Sequence, residues 1–166
     1  MTYYDSIADG YDELYGAEQL EKYRALDSLQ LIDPEDTILD LGHGTGMICE
    51  ALPNEITGLD RSARLLARSH ARTLVHDLDE PLPFSDTSFD WVVSFTVLHH
   101  VRDPRALLDE ARRIARRGAA VSISRSLSSY ATLAPLFVGW ASHRAGVDTL
   151  FIWLRNETNI KKRMRE

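Results

Sequence analysis

One short stretch, Ile38-Leu39-Asp40-Leu41-Gly42-His43-Gly44-Thr45-Gly46-Met47, joins an apolar run to three alternating glycines. The apolar run predicts a buried strand. The glycines predict a tight turn in which bare backbone comes close to a ligand or to the next helix. Because many nucleotide-like cofactors bind at such turns, the neighbouring residues must indicate which ligand this one accepts.

From Thr37 onward the chain alternates strand-like and helix-like segments. The predicted strands are almost continuously hydrophobic, which is typical of parallel strands buried on both faces. They are Thr37–Leu41, Ile56–Asp60, Thr73–His76, Trp91–Phe95 and Ala119–Ser124. The clearest helix between them begins at Asp103-Pro104, a good N-cap, and is expected to end at Arg116-Arg117-Gly118. Repeated strand–helix units of this kind predict a doubly wound α/β sheet.

The two flanks of this core also have predicted structure. Residues 3–31 have helical spacing of apolar residues, and Asp33-Pro34 ends that helix. Near the other end we expect a short helix ending near Pro135 and a strand from Phe137 to His143. A turn at Ala145-Gly146 and a final strand, Thr149–Leu154, then complete a hairpin.

Composition narrows the classes of function. The chain has 166 residues, 44% of them hydrophobic, and a net charge of −6, which suits one folded domain. Such an acidic chain lacks the basic surface that supplies non-specific nucleic-acid affinity, so we expect RNA to bind weakly at most. The single cysteine, Cys49, cannot form an internal disulfide, and we expect it to be buried. We expect no metal site, no leader peptide and no membrane span, and hence a cytoplasmic protein.

The glycine turn discriminates between cofactors. The dinucleotide fingerprint needs glycine at its first, third and sixth positions, but here those positions hold Gly42, Gly44 and Met47. The phosphate-binding loop is also excluded, because no Gly-Lys-Ser/Thr follows. Asp40, two residues before the turn, would repel a pyrophosphate and attract an ammonium or sulfonium group. The turn therefore favours a cationic nucleoside without phosphate.

Two further acids end predicted strands. Asp60 ends the second strand, about twenty residues after Asp40, where folds of this kind place an acid on the ribose hydroxyls. Asp77 follows the third strand at the same edge of the sheet and could accept a hydrogen bond from an exocyclic amine. The alternative for either residue is a turn or helix cap.

Four stretches of this sequence resemble the Rossmann-like (class I) S-adenosylmethionine-dependent methyltransferases, in particular the methyltransferase type 11-like group. They are Tyr3-Tyr4-Asp5-Ser6-Ile7-Ala8-Asp9-Gly10-Tyr11-Asp12, Leu39-Asp40-Leu41-Gly42-His43-Gly44-Thr45-Gly46, Leu82-Pro83-Phe84-Ser85-Asp86-Thr87-Ser88-Phe89-Asp90 and Leu98-His99-His100-Val101. They occur in the family's order and cover residues 3–125. The resemblance implies a mostly parallel sheet of seven strands, the last antiparallel. It divides a single domain into an N-terminal helical lid (1–34), an α/β core (35–158) and a basic tail (159–166).

The resemblance also implies S-adenosylmethionine as cofactor, S-adenosylhomocysteine as product, and a set of binding residues. Asp40 and Gly42 would lie beside the methionine moiety, and Gly44 would let the cofactor approach the backbone. The remaining implied contacts are Asp60 on the ribose, Arg61, Asp77 and Leu78 around the adenine, Tyr3 and Tyr11 in the lid, and Phe95 and Thr96 beside the sulfonium. His43 stands where the family usually has cysteine or serine, and its side chain is expected to point away from the ligand.

The methyl acceptor is not named by the sequence. His99 and His100 are candidate general bases if the nucleophile starts protonated; otherwise they shape the pocket wall. Arg125 would attract an anionic substrate or lie exposed at the surface. No Asn-Pro-Pro-aromatic motif follows the fourth strand, which argues against nucleobase or glutamine amino groups as the target.

Three functions stay open. The first is an active methyltransferase acting on a small molecule, or on RNA or protein with the help of a partner. The second is a catalytically silent subunit or scaffold that binds the cofactor, and the least favoured is a nicotinamide-dependent dehydrogenase. The chain is short for this family, and some short members depend on a small activating partner protein, so we expect such a partner here.

Overall fold

A single mixed sheet forms the centre of the computed structural model, which describes residues 10–156. Its strands are β1 (Thr37–Leu41), β2 (Glu55–Asp60), β3 (Arg72–Val75), β4 (Phe89–Phe95), β5 (Ala115–Ser124), β6 (Ala141–Ala145) and β7 (Asp148–Leu154). The seven strands lie in the order β3-β2-β1-β4-β5-β7-β6. Strands β1 to β5 pair in parallel, whereas β7 is antiparallel to both β5 and β6. This confirms the doubly wound, mostly parallel seven-stranded fold.

Helices connect these strands and cover the sheet. They are α1 (Tyr11–Ser28), α2 (Ala63–Leu66), α3 (Pro104–Ile114) and α4 (Tyr130–Leu133), with short 3-10 turns at Met47–Glu50, Leu98–His100 and Ala134–Phe137. Residues 3–9 of the predicted first helix lie outside the described residues. Among the residues described, no helix is both long and apolar enough to cross a membrane.

The core has two halves because successive strand residues point to opposite faces of the sheet. Leu39 and Val92 belong to one buried cluster, which α3 covers with Leu107 and other apolar side chains. Ile38 and Trp91 belong to the other cluster, where α1 contributes Tyr23 and Leu26. Both faces of the central strands are therefore buried, as their sequence predicts.

Helix α3 begins as predicted but ends earlier. Asp103 caps it by accepting hydrogen bonds from the backbone N–H groups of Arg105 and Ala106, both at 3.1 Å. The predicted end at Arg116-Arg117-Gly118 is wrong, because these residues are already in β5. In place of a glycine cap, Arg155, beyond β7, donates to the carbonyl oxygens of Arg112, in the last turn of α3, and of Ala115, the residue after the helix. Gly118 is instead packed against the sheet, where a Cβ would lie 2.7 Å from the carbonyl oxygen of Trp153.

The hairpin at the end of the sheet is also shifted. We predicted a strand from Phe137 to His143, but the chain turns at Gly139, whose φ is +84°, and β6 starts only at Ala141. Phe137 belongs to a 3-10 turn because its ring stacks on Phe151, with the ring centroids 4.0 Å apart.

A second correction concerns Cys49, which is exposed rather than buried. The division into lid, core and tail stays a prediction.

Candidate functional site

A cavity of about 700 Å³ lies at the carboxyl ends of the parallel strands. This is the edge at which open α/β sheets bind ligands. Its walls come from α1, from the turn after β1, and from the ends of β2 to β5. Ten of the residues predicted for the site line it: Gly42, Gly44, Asp60, Arg61, Asp77, Leu78, Phe95, Thr96, His99 and His100.

The glycine turn has the backbone conformation that its sequence predicts. Gly42 and Gly44 have φ values of +80° and +60°, a region that L side chains rarely adopt. The N–H groups of Gly42 and His43 donate to the carbonyl oxygen of Leu59, which fixes the turn against β2. A Cβ at Gly42 would lie 2.2 Å from Cγ2 of Val97, so the side chain of Val97 packs directly on the bare backbone of this turn.

Asp60 is held at the floor of the cavity by backbone donors. Its two carboxylate oxygens accept hydrogen bonds from the N–H of Gly44 at 3.0 Å and of Ser62 at 2.8 Å. Burial raises the pKa of Asp60 above its ordinary value, although both hydrogen bonds act to lower it. Each oxygen keeps a free lone pair, so the carboxylate can accept two more hydrogen bonds from neighbouring hydroxyl groups.

The segment after β3 supplies the outer wall. Asp77 is exposed, and one of its carboxylate oxygens accepts a hydrogen bond from the backbone N–H of Asp79 at 3.1 Å. Leu78 is half-buried and packs against the core. Arg61, from the end of β2, is exposed at the same side. This part of the cavity therefore combines an apolar surface with a carboxylate acceptor.

The end of β4 forms the opposite wall. Phe95 is buried, and its ring meets that of Tyr23 edge to face, with centroids 4.8 Å apart. Thr96 has a φ of +58°, a strained conformation for a β-branched residue. Its N–H donates to the hydroxyl of Ser122 at 3.1 Å, and its own hydroxyl accepts from Lys22 Nζ at 2.8 Å.

His99 and His100 face the cavity with their rings in contact, the centroids 3.7 Å apart. Burial and the neighbouring His100 lower the pKa of His99 to about 4. Burial and Arg61 also lower the pKa of His100. Both imidazoles are therefore uncharged near neutral pH. Within residues 10–156, no group of three or more His, Cys, Asp or Glu side chains is arranged to hold a metal ion.

The glycine turn and most of the residues that line the cavity lie inside the part of the chain that matches a known protein family. The model for the family described as a methyltransferase domain matches residues 39–123. This chain belongs to that family. The family is not one of nicotinamide-dependent dehydrogenases, which removes support from that alternative.

Two individual relatives of this methyltransferase domain are themselves named methyltransferases. A demethylmenaquinone methyltransferase of Thermotoga maritima is 33% identical over 132 residues, which cover 70% of this chain and 57% of the relative. The 27-O-demethylrifamycin SV methyltransferase of Amycolatopsis mediterranei is 29% identical over 150 residues, covering 72% and 55%. The chain thus spans between half and two thirds of the length of these curated relatives.

Solved structures also resemble this methyltransferase domain. One is the complex between the Haloferax volcanii Trm112 methyltransferase activator and a putative methyltransferase, with 28% identity and a TM-score of 0.62 over 74% of this chain and 61% of that one. Another is a putative S-adenosyl-L-methionine-dependent methyltransferase of Methanococcus maripaludis, with 14% identity and a TM-score of 0.73 over 96% and 97%. The second supports the fold alone.

One predicted residue of the methyltransferase site, Asp40, does not line the cavity. Asp40 is 1% exposed and contacts Nδ1 of His43 at 2.9 Å beneath the turn. Its predicted place beside the methionine moiety therefore stays a prediction. Tyr3 and the side chain of Tyr11 lie outside what the structure describes. His43 points away from the cavity, with its Nε2 2.7 Å from the hydroxyl of Ser69.

Sequence reasoning also missed residues around the methyltransferase site. Lys22 and Asp148 lie behind Thr96, and both are buried. Lys22 has an acid four residues earlier, which is the pattern of an exposed helix pair, and Asp148 follows a predicted turn. Neither pattern indicates burial.

Arg125 donates to the carbonyl oxygens of Gly146 and Asp148, so it stabilises the β6–β7 turn and is not a free surface cation.

Proposed function

We propose that this methyltransferase domain binds S-adenosylmethionine and transfers its methyl group to an acceptor. The observation that carries the proposal is the order of the lining residues along the sheet edge. Because the strands run β3-β2-β1-β4, the edge presents Asp77, then Asp60, then the glycine turn, then Thr96. This order matches a ligand with an adenine, a ribose and a methionine sulfonium in line.

Each part of the ligand has a partner of suitable chemistry. Asp77 accepts from the adenine amine while Leu78 lies against the ring, and Arg61 lies at the same end. Asp60 accepts from the two ribose hydroxyls with the lone pairs that its backbone donors leave free. The turn at Gly42 and Gly44 admits the methionine part close to the backbone.

Catalysis then depends mainly on positioning. When bound, S-adenosylmethionine supplies a methyl group on a good leaving group, so no general acid is needed. Phe95 and Thr96 border the sulfonium and align the acceptor with the methyl carbon, which is the largest contribution a protein makes to such a step. His99 or His100 accepts the proton when the nucleophile carries one, since both imidazoles are uncharged near neutral pH.

The acceptor enters beside β4 and β5. The cavity there is lined by the two histidines and by the uncharged residues Ser124, Ser126 and Leu127. The carboxylate of Glu18 from α1 also lies at this end, next to Lys22 and Thr96. We therefore propose that the part of the acceptor inside the cavity carries no negative charge. We also propose, from the sequence, that the protein is cytoplasmic.

Calorimetric titration with S-adenosylhomocysteine, and with NADH as the control ligand, tests the cofactor. We expect micromolar affinity for the first ligand and no heat from the second. Asp60→Ala should weaken the binding of S-adenosylhomocysteine at least about tenfold, because two ligand hydroxyls lose their acceptor. The matched control is Asp109→Ala, at an exposed carboxylate on α3. Binding of NADH alone, or unchanged affinity in Asp60→Ala, would overturn the assignment.

We also propose a small activator protein as partner, as in the Haloferax volcanii complex. The edge strand β3 supports this, because all four of its residues are exposed and, within residues 10–156, no strand pairs with its outer side. It also exposes Leu74 and Val75, by 41% and 55%. Size-exclusion chromatography with the Haloferax volcanii Trm112 protein tests the idea. Val75→Lys should abolish co-elution, whereas the control Val138→Lys, at another exposed valine, should keep it. Co-elution of both variants would contradict the proposal. So would the failure of the wild type to co-elute.

A further inference from the structure

Lys22 is a buried cation behind the cavity wall. Its side chain is 1% exposed, and its Nζ lies 2.7 Å from a carboxylate oxygen of Glu18 and 3.2 Å from one of Asp148. The same ammonium donates to the hydroxyl of Thr96 at 2.8 Å. A buried ammonium is stable only when it is paired and fully hydrogen-bonded. Here it joins α1 to the ends of β4 and β7.

Two carboxylates of this cluster, those of Glu18 and Asp148, share the ammonium of Lys22. The guanidinium of Arg125 adds a second cation on the Asp148 side, where it donates to the carbonyl oxygen of that residue. Asp148 is fully buried; one of its oxygens accepts from Ser122 and Thr96, and the other has no hydrogen-bond partner among the described residues. Glu18 lines the cavity, with its side chain 46% exposed. Arg125 and Lys22 both lie on the buried side of the cluster, so the carboxylate that faces the ligand space is that of Glu18.

Glu18 is set apart from the other charged groups of the cavity. These groups end or follow β2 and β3, at the end assigned to adenosine; they are Asp60, Arg61, Asp77 and Asp79. Among the lining residues that the structure describes, Glu18 is the acid at the opposite end, because it shares its ammonium with Thr96 at the end of β4. This is the end to which the proposed function assigns the sulfonium.

We propose that Glu18, held by Lys22 and Asp148, recognises the positive charge of the cofactor and so raises the affinity for S-adenosylmethionine relative to that for S-adenosylhomocysteine, whose sulfur is uncharged. The inference rests on the proposed function. The two ligands share the adenosine and the amino-acid group, so a difference between them isolates the sulfonium. Methyl transfer removes that charge, and the attraction of the cluster is lost with it, which favours exchange of product for fresh cofactor.

Glu18→Gln tests the inference, because it removes the charge and keeps an oxygen that can accept from Lys22. Affinities are measured by calorimetry for S-adenosylmethionine, S-adenosylhomocysteine and sinefungin, in which an amine-bearing carbon replaces the sulfonium. We expect the two cationic ligands to lose about tenfold in affinity and S-adenosylhomocysteine to change by less than about twofold. Glu13→Gln, at an exposed acid on the same helix, is the control and should change none of the three.

The outcomes separate this inference from the proposed function. An equal loss for all three ligands in Glu18→Gln would mean that Glu18 only shapes the wall, and would overturn the inference alone. Failure of the wild type to bind S-adenosylhomocysteine would overturn the proposed function. If Glu18→Gln does not fold, the wild type still gives an answer: raising the salt concentration from about 50 mM to about 500 mM should lower the affinity for S-adenosylmethionine more than that for S-adenosylhomocysteine. An unchanged ratio would contradict the inference.

Discussion

At the scale of single residues, His43 occupies space that exists because residue 58 is glycine. A Cβ at Gly58 would lie 2.2 Å from Cγ of the His43 ring. The ring fills this gap and connects the carboxylate of Asp40 to the hydroxyl of Ser69, at 2.9 Å and 2.7 Å. The glycine turn thus rests on a buried imidazole that lies against β2.

Gly58→Ala should therefore destabilise the protein. The new methyl group overlaps the imidazole, and neither β2 nor the ring can move without breaking hydrogen bonds, so we expect a loss of about 1–3 kcal/mol in the free energy of unfolding. Chemical denaturation measures this loss. Adding His43→Ser should recover part of it by making room. Gly10→Ala is the control, since a Cβ there meets no described heavy atom within 4 Å. Strictly additive losses in the double variant would show that the clash is not with His43.

His99 should make stability depend on pH on the acid side. Burial, with His100 beside it, lowers its pKa from 6.5 to about 4 in the folded protein. As the pH falls from 6.5 towards 4, the unfolded chain binds a proton at this residue and the folded chain does not, so the free energy of unfolding decreases. The nearby Asp148 opposes this shift and Lys22 reinforces it.

His99→Gln should remove part of that dependence. Urea denaturation at pH 7 and pH 5 should show a smaller loss of stability in this variant than in the wild type. His70→Gln, at an exposed histidine, should keep the loss of the wild type. Equal losses in all three proteins would mean that His99 titrates normally in the folded state.

The residues of the cavity differ in how far the sequence could predict their position. Asp60 follows a strand whose length and hydrophobicity fix its end, so its place at the sheet edge was predictable. Lys22 has the sequence pattern of an exposed ion pair, and only the packing of α1 against β4 and β7 buries it. Its partner Asp148 is 126 residues away, and a pair so distant has no local signal.

At the scale of secondary-structure elements, the two ends of α3 show why the N-terminus of a helix is easier to predict than its C-terminus. The N-cap is local, because Asp103 bonds to N–H groups two and three residues ahead. The C-terminal carbonyls are instead bonded by Arg155, on the far side of β7. Glycine and arginine residues after a helix predict a C-terminal cap, but the same residues also occur at the start of the strand that follows. A sequence pattern alone does not separate the two.

Removing the N-cap should have a modest and specific effect. Asp103→Ala should lower the free energy of unfolding by about 1 kcal/mol, because two backbone N–H groups lose their acceptor. Asp103→Asn keeps an oxygen acceptor and should lose less. Thermal unfolding followed by circular dichroism measures the difference. A loss of the same size in Asp109→Ala, at an exposed carboxylate of the same helix, would point to helix charge rather than to the cap.

At the scale of the whole molecule, the doubly wound, mostly parallel sheet was predictable from the alternation of strands and helices, together with the resemblance to the methyltransferases. The bounds of β1 were predicted to the residue, and those of β2 and β3 within one. The hairpin was harder, because the stacking of Phe137 on Phe151 decides where β6 begins. That contact is tertiary, and an apolar run read alone favours a longer strand.

The overall charge of the molecule predicts weak binding to nucleic acid. With a net charge of −6, the isolated protein should not bind a fluorescent single-stranded RNA of mixed sequence at about 150 mM salt and about 10 μM protein. Fluorescence anisotropy measures this. Saturable binding below about 1 μM with steep salt dependence would contradict the prediction and would bring RNA back as a direct acceptor.

The antiparallel strand β7 lies between β5 and β6, and it carries Asp148 into the wall behind Thr96. A chain leaving the ribosome produces Lys22 early and Asp148 late. A nascent chain that has emerged only as far as β5 already holds the strands that line the adenosine end, but its lysine has no buried counter-charge and must stay hydrated. The cofactor pocket is therefore completed from the adenosine side towards the methyl side, and the reactive end closes only after β7 has emerged.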